Sequence, residues 1–152
     1  MTRISLYCDG GCRDNQHDSN VGGWGVYLIW GDATKELWGG EPNTTNNKME
    51  LTAAIEGLRA IKRNDYGVDV YIDSAYVVNG INSWVDNWQR NGWKNSKKEP
   101  VANKELWLDL IAERDKFSDI VFHKVKGHAD SDGNNKADEL ANRAMDEVEA
   151  AR

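Results

Sequence analysis

The 152-residue chain has little with which to staple itself together or to cross a membrane. It holds two cysteines, Cys8 and Cys12, expected to flank a turn. Two thiols cannot complete a zinc site, and an intracellular chain keeps them reduced, so no chemistry is assigned to either. No apolar run approaches the roughly 20 residues that span a bilayer, and Met1-Thr2-Arg3 leads into a short strand-like run rather than the apolar core of a signal peptide. The expectation is a cytoplasmic protein with no membrane contact. Positive charge is scarce as well: 19 lysines and arginines against 25 acids leave a formal net charge of -6. That balance excludes a nucleic-acid binder working through a general positive field. Contact with nucleic acid would have to come from a local basic patch, or from bound cations that invert the sign of an acidic pocket. No repeat, low-complexity tract or linker divides the chain, and 152 residues read as one domain with one core.

What is present is globular composition, 39% hydrophobic and 29% charged, with seven tryptophans that should serve as core or as surface platforms. Ile4, Leu6 and Cys8 alternate with Ser5, Tyr7 and Asp9, a strand that Gly10-Gly11 is expected to stop. Apolar runs from Trp24 to Trp30 and from Lys35 to Trp38 complete an antiparallel meander. Leu51, Ala54, Ile55, Leu58 and Ile61 then recur at helical spacing behind Asn47, read as the N-cap. Val68 to Asp73 alternates again, so a second strand also ends in an aspartate. A helical stripe through Val77, Ile81, Trp84, Val85 and Trp88 is expected to break at Gly80. Leu106, Trp107, Leu110 and Ile111 mark the next helix, Ile120 to Val125 a last strand, and Ala137, Leu140, Ala141, Ala144, Met145 and Val148 a C-terminal helix. The order β-β-β-α-β-α-α-β-α predicts a layered α/β fold whose Ile4 and Val68 strands are parallel, joined by a right-handed crossover.

Asp9 and Asp73 each close a strand, with Tyr7 and Tyr71 two residues earlier and a small residue, Gly10 or Ser74, just after. Parallel neighbours would bring their ends to about 4.7–4.9 Å, beyond the carboxyl edge where open α/β sheets bind ligands. Two such carboxylates repel each other unless one keeps a proton or a cation sits between them. Two divalent ions about 3.5–4 Å apart suit that spacing and the in-line displacement of a phosphoryl group. Taken singly, each aspartate reads equally well as a turn former. Glu50 and Asp138 read as the N3 acids of helices capped by Asn47 and Asn135, positions that favour the helix dipole and also aim a side chain beyond the helix start. His128 lies in the polar loop from Gly127 to Gly133, where it is either a surface histidine or a proton carrier titrating near neutrality. Arg90, Lys94, Lys97 and Lys98, interleaved with Trp84, Trp88 and Trp93, form the one cationic cluster: a solvated loop over buried rings, or a patch that tracks a nucleic-acid backbone.

Over Ile4 to about Met145 these residues resemble the bacterial type 1 ribonuclease H family. The segments Asp9-Gly10-Gly11-Cys12, Thr44-Thr45-Asn46-Asn47-Lys48-Met49-Glu50-Leu51, Asp73-Ser74-Ala75-Tyr76-Val77, Lys126-Gly127-His128-Ala129 and Ala137-Asp138-Glu139-Leu140-Ala141 stand in that family's order and spacing. The resemblance implies an α/β ribonuclease H-like fold, a five-stranded mixed sheet flanked by helices. It implies an endonuclease that cuts the RNA strand of an RNA·DNA hybrid and leaves 5′-phosphate and 3′-hydroxyl ends. It makes Asp9, Glu50, Asp73 and Asp138 the ligands of two Mg²⁺ ions, with Mn²⁺ as an alternative, and His128 their assistant. Gly11, Cys12, Asn46, Asn47 and Glu50 would then line the minor groove where RNA displays 2′-hydroxyls. Thr45 and Asn15 would lie near a phosphate of the DNA strand, and Trp84 with Arg90, Lys94, Lys97 and Lys98 would grip that strand, in a protein expected to act as a monomer. The chain departs from the family in the longer, polar segment from Arg13 to Gly23, in Ala75 where relatives often carry glutamine, and in acids at Asp86, Glu99, Asp130 and Asp132. Two other readings remain open: a resolvase- or transposase-like nuclease on the same fold, and a catalytically inactive hybrid-binding module.

Overall fold

The computed structural model describes residues 3–13, 20–126 and 132–151. Strands β1 (Ile4–Arg13), β2 (Val21–Trp30) and β3 (Ala33–Pro42) form the meander. Helix α1 (Asn46–Ala60) leads to β4 (Val68–Ile72), which is followed by α2 (Ala75–Asn79), a π-helical turn (Gly80–Trp84), α3 (Val85–Asn91), α4 (Lys104–Arg114), β5 (Ile120–Lys124) and α5 (Asp132–Ala150). The sheet runs β3-β2-β1-β4-β5, antiparallel among the first three strands and parallel from β1 through β4 to β5. This is the expected five-stranded mixed sheet.

Alternation in the strands decides what each sheet face meets. Ile4, Leu6, Cys8, Val68, Val70 and Ile72 are buried together with Leu51, Ala54, Ile55 and Leu58 of α1 and with Val77, Ile81, Trp107 and Leu110 of the helices that follow. On the other face α5 packs across β1, β2 and β3 through Ala137, Leu140, Ala141, Ala144 and Met145. The β4 and β5 half of that face stays uncovered by α5, and the side chains alternating with the core there, Asp69, Tyr71 and His123, are only partly buried.

Several sequence expectations need correction. Gly10-Gly11 does not stop β1, because Gly10, Gly11 and Cys12 pair with Trp24, Gly23 and Gly22 in a ladder that needs no side chains. Cys8 and Cys12 therefore lie on one strand rather than either side of a turn. Thr45, not Asn47, caps α1, its hydroxyl accepting from Lys48 N–H at 3.1 Å. Glu50 consequently stands two residues further in than a capping-box acid. Helix α5 begins at Asp132, which moves Asp138 from the first turn into the second. At Gly80 the stripe widens into a π turn instead of breaking, and glycine stands there because the ring of Trp107 fills the space a Cβ would take.

Candidate active site

The parallel ladder between β1 and β4 ends at the pair Cys8 and Ile72, so Asp9 and Asp73 are the next residues along neighbouring chains. Ser74 immediately starts a helix, its hydroxyl accepting from Val77 N–H at 3.2 Å, which fixes Asp73 at the junction. Glu50 joins them through a close approach of backbones: a Cβ on Gly10 would lie 2.6 Å from both Glu50 N and Met49 O. Glycine there lets the start of α1 lie against β1. Carboxylate oxygens of Asp9, Glu50 and Asp73 come within 4.8 Å of one another. Asp138 lies outside that trio but lines the same small hollow as Asp9 and Asp73, together with Cys8 and Asn134.

Crowding and burial set the protonation of these acids. Burial first, then a hydrogen bond with Asp138 and the charge of Asp73, pushes Asp9 up to about 8. Burial and the charges of Asp9 and Asp73 push Glu50 to about 9. Left to themselves Asp9 and Glu50 hold protons at neutral pH, as buried acids among like charges do. A divalent cation reverses that preference. Gly10 N–H and Asp73 hydrogen-bond to the Glu50 carboxyl, yet its Oε1 is buried with no hydrogen-bond partner. The oxygen-rich donor set suits a hard cation such as Mg²⁺.

Beside the acids, Asn46 Oδ1 accepts from Cys12 N–H at 2.7 Å and stands 3.8 Å from where a Gly11 Cβ would be. Gly11, Cys12 and Asn46 are thereby brought together at the start of α1, with Thr45 and Asn47 exposed next to them. Asn15 and His128 lie outside the described residues.

The cationic cluster is a separate region. Arg90, Lys94, Lys97 and Lys98 are all exposed on α3 and the loop after it, a loop held by Asn91, which exchanges hydrogen bonds with Lys94 at 3.0 and 3.1 Å, and by Asn95, whose Oδ1 accepts from Lys97 and Glu99 N–H. Its tryptophans divide. Trp88 packs edge-on to the fully buried Trp107 at 5.4 Å and tilts against Trp93, whereas Trp84 is 38% exposed. One feature of this side was not signalled by the sequence. Lys48 of α1 and Lys104 of α4 share a hollow with Asn103, a left-handed residue whose amide donates to Tyr76 Oη at 3.2 Å. Only packing between α1 and α4 brings them together, so no local pattern could have revealed it.

This sheet order, with carboxylates gathered where its central parallel strands end, defines the ribonuclease H-like fold with an acidic site suited to a divalent metal. Comparisons agree. Residues 1–146 match the RNase H family. The chain is 47% identical over 150 residues to a ribonuclease H of Ruthia magnifica, covering 97% of this chain and 99% of that one. It is 50% identical over 148 residues to a ribonuclease H of Hydrogenovibrio crunogenus, covering 97% and 99%. Among solved structures, a type 1 RNase H with the type 2 active-site motif superposes with a TM-score of 0.84 at 29% identity, over 97% of this chain and 74% of that one. LC11-RNase H1 in complex with RNA/DNA hybrid superposes at 0.73 and 26% identity, over 96% and 99%. The chain belongs to the ribonuclease H family, in its type 1 branch.

Proposed function

We propose that the chain hydrolyses the RNA strand of RNA·DNA hybrids with two divalent ions, Mg²⁺ in the first place and Mn²⁺ as a substitute, held by Asp9, Glu50, Asp73 and Asp138. The observation that carries this reading is the convergence of carboxylate oxygens from Asp9, Glu50 and Asp73 within 4.8 Å of one another. When bound, the ions supply an activated water and stabilise charge on the phosphate in flight. The chain does the rest. Asp9 and Asp73, fixed at the ends of the parallel ladder, would hold the ions that position the scissile phosphate for in-line attack, which leaves a 5′-phosphate and a 3′-hydroxyl. Glu50 ties this pocket to the start of α1, where Asn46, Asn47, Gly11 and Cys12 meet the minor groove and test for 2′-hydroxyls.

Thr45 and Asn15 meet a phosphate of the DNA strand, as do Lys48 and Lys104, whose hollow opens near the same helix start. Trp84, Arg90, Lys94, Lys97 and Lys98 track the DNA backbone farther out. His128 moves a proton at the reacting phosphate, in the range of general acid–base help. The protein acts as a monomer, and in the cytoplasm. In the described residues no helix is long and apolar enough to cross a membrane.

Labelled RNA·DNA hybrid and all-DNA duplex of one sequence, each incubated with Mg²⁺, Mn²⁺ or EDTA and read strand by strand, test the reading. RNA-strand cutting with either ion and none with EDTA is expected. Comparable cutting of the DNA duplex would favour the resolvase reading, and intact hybrid under every condition the inactive binding module.

A further inference from the structure

On the sheet face that α5 leaves partly open, Tyr7 of β1, Tyr71 of β4 and His123 of β5 occupy one register row. Their rings are close to parallel: centroids stand 4.9 Å apart with 16° between planes for Tyr7 and Tyr71, and 4.9 Å with 18° for Tyr71 and His123. Neighbouring strands are about 4.7–4.9 Å apart, so the column is as wide as the strands that carry it. Its outer end is held, since His123 Nε2 lies 2.8 Å from Asp69 Oδ1 while Arg3 Nε donates to Asp69 Oδ2 at 2.7 Å. Its inner end meets α5. Buried Gly133 sits so close to Tyr7 that a Cβ there would fall 2.5 Å from Cδ2, Cε2 and Cζ of the ring. The same helix carries Asn134 and Asp138 into the hollow with Asp9 and Asp73.

We propose that this ring column is a spacer: Tyr7, Tyr71 and His123 are positioning residues that set how closely the first turns of α5 approach β1, and so where Asp138 stands relative to Asp9. The inference rests on the place in the ion site given above to Asp138. At the buried Gly133 the Tyr7 ring leaves no room for a Cβ, so that contact transmits displacement, and Tyr71 and His123 back the ring from its other side. None of the three rings touches the reacting atoms; they act through Gly133.

Gly133→Ala is the direct test. In a free helix alanine is favoured over glycine, so any loss comes from the ring it meets. The helix must move out, and kcat is expected to fall about tenfold to a hundredfold, as for ångström-scale misplacement, with KM for hybrid unchanged. Mg²⁺ affinity of the free protein, measured by calorimetry, should fall with it. Adding Tyr7→Leu gives back space, so Gly133→Ala/Tyr7→Leu should lie nearer wild type in both quantities than Gly133→Ala alone. Tyr71→Phe keeps the stack and should match wild type. Wild-type kcat and Mg²⁺ affinity in Gly133→Ala, or losses that simply add in the double variant, overturn the spacer. If Gly133→Ala does not fold, His123→Ala at the half-exposed end decides by the same two measurements. Asp138→Asn separates the layers: full activity there removes the reading on which the spacer rests, whereas a loss there with none in Gly133→Ala removes the spacer alone.

Discussion

The carboxylate pocket and the tryptophan–lysine ridge handle charge in opposite ways. In the pocket, acids of one sign are pressed together and largely shielded from water, Glu50 being 7% exposed, so each charge acts at full strength on its neighbours and on any bound ion. On the ridge the cations are all exposed, and beneath them half-buried rings pack on one another and on the core, Trp88 against Trp93 and the buried Trp107. Exposed charge is screened within about a Debye length and contributes mainly to affinity and encounter. Chemistry therefore belongs to the pocket and grip to the ridge, and the two should fail separately when altered.

The largest effect is expected in the pocket. Asp9→Asn keeps the volume and removes a charge on which the ions depend, so kcat should drop on the order of 10³-fold or more, the several kcal/mol that metal-held charge stabilisation supplies. Binding of hybrid should survive, as the groove residues and the ridge are untouched. Turnover by purified Asp9→Asn within tenfold of wild type would break the division between the regions at its stronger end.

A smaller effect appears in stability against pH. Asp9 is raised from 3.8 to about 8 and Glu50 from 4.5 to about 9 in the folded chain. Between those values the folded state holds protons that the unfolded chain has released, so stability in EDTA should decline as pH rises from about 4 to about 9. Mg²⁺ must expel those protons, and should raise Tm most at the alkaline end of its working range. Asp9→Asn should flatten the decline in EDTA and exceed wild-type Tm near pH 8.5 by a few degrees, at about 2–4 °C per kcal/mol for a chain of this size. Parallel Tm curves for the two proteins from pH 5 to 8.5 would show that the pocket does not store this repulsion.

The pocket was also the more legible region, and the reasons are physical. Period-two alternation fixes which residues share a face, and that is enough to set Asp9 and Asp73 at matching positions on parallel neighbours. At Gly10 a glycine pair signals a turn as readily as a close approach, and only the backbone of α1 lying against it distinguishes the two. Asn46 and Asn47 both have the side chain of a cap, but Asn46 accepts from Cys12 N–H of β1 and Thr45 takes the cap. Asp138 lines the hollow with Asp9 and Asp73 from the second turn of α5, a turn beyond the N3 place that its spacing from Asn135 suggests. The ring column and the hollow with Lys48 and Lys104 depend on pairings between strands or helices far apart in sequence, which no window of the chain contains.

The smallest effect concerns the ridge, where Arg90, Lys94, Lys97 and Lys98 stand in solvent on a loop pinned by Asn91 and Asn95. In a chain of net charge -6 few other cations can reach the backbone, so the binding constant should fall with salt by only a few log units per log unit, at about 0.9 for each phosphate neutralised. Replacing Lys94, Lys97 and Lys98 by alanine should flatten that slope by about two to three and raise KM severalfold at low salt. Stability should hardly change, because exposed charges contribute about 0–1 kcal/mol and the loop's hydrogen bonds run through its asparagines and backbone. The kcat should stay at the wild-type value, since the ridge lies apart from the acids. Measuring KM, kcat and salt slope together decides the matter. An unchanged KM and slope would return these lysines to a solvated loop over a tryptophan core, while a fall in kcat would mean that grip on the DNA strand also sets the scissile phosphate in the Asp9 pocket.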